Sequence, residues 1–227
     1  MSDLTTYALD DGVATITLDD GKVNALSPAM LAAIGERFDQ AQADEAIVVL
    51  RGRATTLSAG FDLRTPLEGW PAMVEGGARL AERLLSFPAP TLIACPGNAI
   101  AMGAFLLLSV DVRIGVAGEH RIGLNEVAIG MTLPWFGVEL ARHRLTAPAF
   151  DACTVTGTLL GPEQAQAAGF LDQVVAPDAL DDAVAAAVGA LKGLDRNAHA
   201  ATKLRTRGAA LEAVRDGIAR FGDGREF

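Results

Sequence analysis

An α/β fold with a parallel-stranded core and a helical C-terminal portion is predicted by two features of this chain. Through the first part of the 227 residues, short apolar runs of strand length alternate with stretches of helical period. From Thr146 onward helical patterns dominate, interrupted by a single strand, FLDQVV (170–175). Strands separated by helices read as βαβ units, whose strands lie parallel. Half of the residues are hydrophobic and only 5% aromatic, so the core is one of Ala, Val, Leu and Ile. The length supports one large domain, here a core over 1–195 with a helical tail over 196–227 as part of the same domain.

The elements follow in order. TTYALDDGVATITLDD (5–20) is a hairpin folded at Asp11-Gly12. SPAMLAAIGERFDQAQ (27–42) is a helix with Ser27 as N-cap, Pro28 in its first turn, and Met30, Ile34, Phe38 and Ala41 on one face. AIVVLRG (46–52) is a buried strand, followed by a loop, TTLSAGFDL (55–63). EGWPAMVEGG (68–77) carries mixed signals, and ARLAERLLSF (78–87) is helical. A strand, TLIAC (91–95), leads into a Pro/Gly loop; AFLLLSV (104–110) is a wholly apolar helix and DVRIGV (111–116) another strand. Then come the helical stretches APAFDACTVTG, GPEQAQAAG and DALDDAVAAAVGAL, and a final basic-flecked helix ending in GDGREF. No internal repeat or interdomain linker is visible.

Charge and composition exclude several functions. A net charge of −9 argues against a nucleic-acid or anionic-membrane surface, both of which need basic patches. No apolar run reaches spanning length and the N-terminal segment is acidic and polar, so a soluble cytoplasmic protein is expected. Cys95 and Cys153 match no metal or redox spacing and read as buried thiols. The histidines, His120, His143 and His199, lie too far apart to suggest a metal site and read as surface or helix-end residues; no metal is expected. Dinucleotide, P-loop and nucleophile-elbow motifs are absent. The chemistry must use carboxylates, backbone amides, or both.

Two loops place small residues at strand ends, where open α/β sheets bind ligands: LSAGFDL (57–63) and PGNAIAMGAF (96–105). The second runs into a helix, so the N–H groups near Met102 and Gly103 sit at a helix N-terminus. One of them, joined by the amide of Ala59, would make a two-donor oxyanion hole. A third stretch, IGLNEVAIGMTLPW (122–135), buries one carboxylate, Glu126, among apolar residues. It is open whether Glu126 is a solvated loop residue, a base tuned by desolvation, or a structural partner of Arg113 or Arg121.

Together with KVNAL (22–26) and TGTLLGPEQAQAAGFLDQVV (156–175), these stretches make the chain resemble the enoyl-CoA hydratase/isomerase (crotonase) superfamily over nearly its whole length. The resemblance implies a ClpP-like spiral of ββα units with a helical C-terminal region, assembled as a homotrimer or hexamer. It implies an acyl-CoA substrate, coenzyme A entering as part of that substrate and not as a separate cofactor. By motif position it makes Ala59 and Met102 the oxyanion donors and Glu126 the acid/base. It places CoA against the backbone at Lys22 and Val23 and from Ala59 through Gly60, Phe61 and Asp62 to Leu63, with Gly103 in the oxyanion loop. Asp62 also reads as a turn-stabilising side chain. Relatives that hydrate enoyl-CoA carry a further glutamate where this chain has Phe105. The single-glutamate pattern is that of Δ3,Δ2-enoyl-CoA isomerases, with Phe105, Trp135 and Phe136 as pocket lining or plain core. A hydratase, a CoA-thioester hydrolase and a non-catalytic acyl-CoA binding protein are the alternatives. Lys203, Arg205 and Arg207 in the last helix form either a solvated basic face or a CoA-phosphate contact.

Overall fold

The computed structural model describes residues 4–53 and 55–222. Strands β1 (Thr5–Asp10) and β2 (Val13–Leu18) form the expected antiparallel hairpin, with Asp10 opposite Val13. Asp11 and Gly12 both take positive φ, 45° and 74°, as a two-residue type I′ turn requires. Helix α1 (Pro28–Ala43) starts where the sequence placed it: Ser27 Oγ accepts the Met30 amide at 3.2 Å. Its buried face is Met30, Leu31, Ile34, Phe38 and Ala41.

From there the chain repeats one motif three times, two strands and then a helix. The turns are β3 (Ile47–Arg51), β4 (Thr56–Ser58) and α2 (Trp70–Ser86); β5 (Thr91–Cys95), β6 (Asn98–Ile100) and α3 (Met102–Ser109); β7 (Val112–Val116), β8 (Ile122–Gly123) and α4 (Trp135–Arg144). The first strand of each turn joins a six-stranded sheet of order β1-β2-β3-β5-β7-β9, completed by β9 (Gln173–Val175). The second strand joins a separate parallel sheet of order β4-β6-β8. This is the spiral of ββα turns that the resemblance implied. The repeat lies in the path of the backbone and not in side-chain identity, which is why the sequence shows no period.

Alternation along the large sheet decides its two faces. Val48 and Leu50 point into the main core with α1, α2 and α3, whereas Val49, Leu92, Ala94, Ile114 and Val116 point to the other face. That second face is covered by Leu180 and Val188 of α7 (Leu180–Lys192). Helices α5 (Ala147–Val155) and α6 (Pro162–Ala168) precede β9, and α8 (Arg196–Gly222) packs along α2 and α4.

Several expectations need correcting. The mixed stretch 68–77 is a short 3-10 turn followed by the first half of α2, which runs unbroken through two consecutive glycines. Strands β4 and β6 lie in segments expected to be loop, and neither β8 nor α4 was anticipated. Cys95 and Cys153 are indeed buried and free, and burial pushes the Cys95 thiol up to about 12. His143 is part-buried in the last turn of α4 and pushed down to about 4, first by desolvation and then by the neighbouring Arg144 and other arginines. The GDGREF end of the last helix falls largely outside the described residues.

Lys203 and Arg207 are not a solvated basic face. The Lys203 side chain is 2% exposed and donates to Asp111 Oδ2 at 2.7 Å, Phe87 O at 2.8 Å and Ala89 O at 2.9 Å. Arg207 binds Asp111 Oδ1 at 2.7 Å and Leu85 O at 3.0 Å. Asp111 also accepts the Thr91 amide at 2.8 Å. The knot therefore ties α8 to the C-terminal end of α2 and to the entrances of β5 and β7. Burial alone would raise the Asp111 pKa, but the two cations outweigh it and hold the carboxyl below its ordinary value.

Asp111→Asn is expected to destabilise the fold by about 3–5 kcal/mol, because it strands two buried cations; urea unfolding measures it. The Asp111 contribution is present above the ordinary carboxylate pKa of 3.8 and is lost as pH falls through the lower folded value. The gap between wild type and variant should accordingly close in acid.

Candidate active site

The small sheet brings three functional loops to one place. Ser58 pairs with Ala99, and Ile100 with Gly123, so the three strands end side by side. Phe61 and Glu126 each come three positions after their strand's last residue, Ser58 and Gly123, and Met102 comes two after Ile100. The loops are fastened to one another: the Ala101 amide donates to Gly123 O at 2.9 Å. A Cβ on Gly103 would meet Ser58 O at 2.6 Å, so only glycine allows that approach.

Met102 is the first residue of α3, and its amide has no hydrogen-bond partner among the described residues. Ala101 before it is held at φ 51°, ψ −122°, a strained conformation for a residue with a Cβ and one that sets where the next amide points. The Met102 side chain is fully buried, turned toward α2.

The second donor expected from the sequence was the amide of Ala59. That amide is occupied: it donates to Val23 O at 3.0 Å. The Gly60 amide is also taken, by Ser58 Oγ at 3.1 Å. The free one is Phe61. Its parallel bridge with Leu26 is made by its neighbours, Leu26 N–H to Gly60 O at 2.8 Å and Asp62 N–H to Leu26 O at 3.4 Å. The Phe61 amide itself faces away and has no acceptor among the described residues. Gly60, at φ 94°, provides the turn, and a Cβ there would lie 3.5 Å from the Met102 nitrogen. The two unpartnered amides thus flank the same glycine. Counting residues in SAGFD could not separate Ala59 from Phe61, because which amide is consumed depends on Val23, far away in sequence.

Glu126 is 7% exposed and its Oε2 has no hydrogen-bond partner. Desolvation raises its pKa to about 7, opposed only by its own amide N–H. The ion-pair alternative is removed: Arg113 is bound to Asp172 and to Gly169 O, and Arg121 is exposed with its guanidinium on His120 O. Neighbouring Asn125 Oδ1 is likewise buried and unpartnered.

Other expected site residues are placed as follows. Lys22 and Val23 are exposed, but the Lys22 carbonyl accepts Arg53 at 3.1 Å and the Val23 carbonyl accepts Ala59, so little of that backbone is open to a ligand. Asp62 holds its turn, accepting the Arg64 amide at 3.0 Å and its guanidinium at 2.8 Å. Leu63 is exposed. Phe105 is fully buried in the core, against Phe136 with ring centroids 5.4 Å apart, and does not line an open cavity. Trp135 is half exposed beneath the Arg220 guanidinium.

Asn24 was not singled out by its sequence. It sits fully buried at φ 53°, donates to Leu18 O and Leu57 O at 3.0 and 3.1 Å, and accepts the Asp20 amide. Its carbonyl accepts Ser58 Oγ at 2.7 Å. It latches the hairpin to the loop that carries Phe61; the signal was a polar residue in the otherwise apolar VNAL.

A sequence profile described as Enoyl-CoA hydratase/isomerase matches residues 8–215. The chain belongs to that family. Among solved structures it is 49% identical to an enoyl-CoA hydratase/isomerase family protein from Pseudomonas syringae, with 96% of each chain covered and a TM-score of 0.94. It is 43% identical to an enoyl-CoA isomerase from Mycobacterium tuberculosis, covering 98% of this chain and 99% of that one, TM-score 0.94. An enoyl-CoA hydratase from Mycobacterium marinum is 41% identical over 97% and 98% of the two chains, TM-score 0.93. The fold is therefore the crotonase fold, and the family is one of hydratases and isomerases. Among the described residues no helix is long and apolar enough to cross a membrane, and no group of three or more His, Cys, Asp or Glu side chains could hold a metal.

A buried carboxylate with no cation beside it and one oxygen unpartnered works against the fold. The folded state favours its protonated form, so the penalty begins above the ordinary pKa of 4.5 and is complete above about 7. Glu126→Gln should therefore stabilise the protein at pH 8, by up to about 3 kcal/mol, with the gain shrinking toward pH 4 in paired urea titrations. A variant less stable than wild type at pH 8 would mean that the carboxylate has a compensating partner.

Proposed function

We propose that this protein is a Δ3,Δ2-enoyl-CoA isomerase that uses Glu126 as its only acid/base. The observation that carries the reading is the isolation of that carboxylate: buried, without a cation, and raised to about 7, while the position of a further glutamate holds the core residue Phe105. In this mechanism the amides of Phe61 and Met102 hold the thioester oxygen as it becomes an enolate. Glu126 takes a proton from C2 of a 3-enoyl-CoA, the electrons move into the conjugated dienolate, and the carboxylic acid returns the proton at C4. The double bond shifts from C3=C4 to C2=C3 with no net change in atoms. A base near pH 7 suits this cycle, because it must both take and return the proton. Hydration would require a held and deprotonated water as well, work that a second carboxylate shares, and apolar Phe105 in its place disfavours it.

The reading includes CoA bound as part of the substrate, with the exposed Lys22 ammonium available to a phosphate, a cytoplasmic setting, and assembly as a homotrimer or hexamer. Val127, Ile129, Trp135 and Val155 keep large apolar side chains exposed, surface that assembly would cover. Light scattering on the purified protein should give a mass three or six times that of the 23.6 kDa chain.

The direct test offers trans-3-hexenoyl-CoA and crotonyl-CoA separately and identifies the products. Expected is conversion of the first to the conjugated 2-enoyl ester, reduced about 100-fold or more in Glu126→Gln. In wild type, kcat/KM should rise with pH through about 7, because the ionised carboxylate is the active form. Brisk 3-hydroxyacyl-CoA formation would make the protein a hydratase, and release of free thiol a thioester hydrolase. Tight CoA-ester binding with no product would leave a binding protein.

A further inference from the structure

Gly77, in the middle of α2, touches neither thioester nor carboxylate, yet it lies against both oxyanion residues at once. A Cβ built there would come within 2.5 Å of Phe61 Cζ and 3.2 Å of Met102 Sδ. Trp70, seven residues before Gly77 on the same helix, packs edge to face on the Phe61 ring at 6.5 Å and is fixed by its Nε1–H donating to Thr65 O at 3.0 Å. The ring is thus braced at two points along α2, and a push on it from position 77 passes in part to the Phe61 backbone. Met102, the first residue of α3, is fully buried with its thioether against the same helix.

Glycine inside a helix is unfavourable relative to alanine, so an interior glycine usually marks a close approach. The adjacent Gly76 shows the contrast: its Cβ would make one ordinary contact, 3.6 Å from Leu31 Cδ1. Two neighbouring glycines thus share one helix and differ in what they face.

We propose that Gly77 is a positioning residue for the reaction: the absence of a side chain there seats the Phe61 ring and the Met102 thioether, and through them sets the directions of the two amides that hold the thioester oxygen. The inference rests on the oxyanion reading given under the proposed function. A displacement of about 1 Å in such donors costs on the order of 100-fold in rate.

The experiment uses the full chain as wild type, Gly77→Ala, Gly76→Ala, Phe61→Leu, and Gly77→Ala combined with Phe61→Leu, which shortens the side chain that a Cβ would strike. The probe is 2,4-hexadienoyl-CoA, whose conjugated thioester absorbs at longer wavelength when hydrogen bonds polarise its carbonyl. Turnover of trans-3-hexenoyl-CoA is followed in parallel. Gly77→Ala should lose most of the red shift and at least tenfold in kcat, while the rise in activity with pH stays near that of wild type, since Glu126 is untouched. Gly76→Ala should keep shift and rate, and the double variant should match the Phe61→Leu single variant in both, because the side chain that a Cβ at position 77 would strike has been shortened. A Gly77→Ala protein with wild-type shift and kcat overturns the proposal, as does a folded double variant that falls as far below Phe61→Leu as Gly77→Ala falls below wild type. Should Gly77→Ala fail to fold, the double variant carries the test: folded with the shift of Phe61→Leu it supports the proposal, unfolded it overturns it. Absence of the shift in wild type itself would overturn the oxyanion reading beneath.

Discussion

The sheet β4-β6-β8 has only two or three residues per strand, too few to stand alone on backbone hydrogen bonds. It exists because each of its strands follows a strand of the large sheet within the same turn of the spiral. The large sheet and its apolar core fix where β3, β5 and β7 end, and the chain then has no freedom but to pass β4, β6 and β8 side by side. Everything at the candidate site inherits its position from that constraint: the Phe61 amide, the Met102 amide and Glu126 all follow the last residues of these strands.

Glycines and small residues at the strand ends allow the backbones to approach closely enough for the constraint to work. Gly103 lies under the Ser58 carbonyl and Gly60 beside the Met102 nitrogen. Asn24 closes the same region from below, satisfying Leu18, Leu57 and Ser58 together. The consequence is a candidate site at which two backbone amides, those of Phe61 and Met102, stand without an acceptor among the described residues. What such a site would offer a ligand is the peptide N–H and not a side chain.

Stability and chemistry pull in opposite directions here. The Asp111 knot gathers buried charges and satisfies each, joining α8, α2 and the sheet. Glu126 and strained Ala101 do the reverse: one leaves a buried carboxylate oxygen without a partner, the other holds a backbone conformation that alanine disfavours. Local costs of this kind persist only where surrounding structure over-determines them, and they concentrate here at the ends of the small sheet.

What the sequence determined by itself is whatever local physics controls. The Asp11-Gly12 turn, the Ser27-Pro28 start of α1 with its buried face, and the apolar strands of the large sheet follow from backbone preference and hydrophobic period, and the family was legible from the order of its motifs. Glu126 stood out because a lone carboxylate in an apolar run is costly anywhere. The tertiary structure decided the rest. Strands as short as Ile122–Gly123 have no period to read, and α2 runs through Gly76 and Gly77 because packing overrides propensity. Lys203 and Arg207 look solvated until Asp111 is brought to them from far along the chain. The exchange of Ala59 for Phe61 has the same cause: an amide is free or spent according to which distant carbonyl lies opposite, and only the folded chain sets that distance.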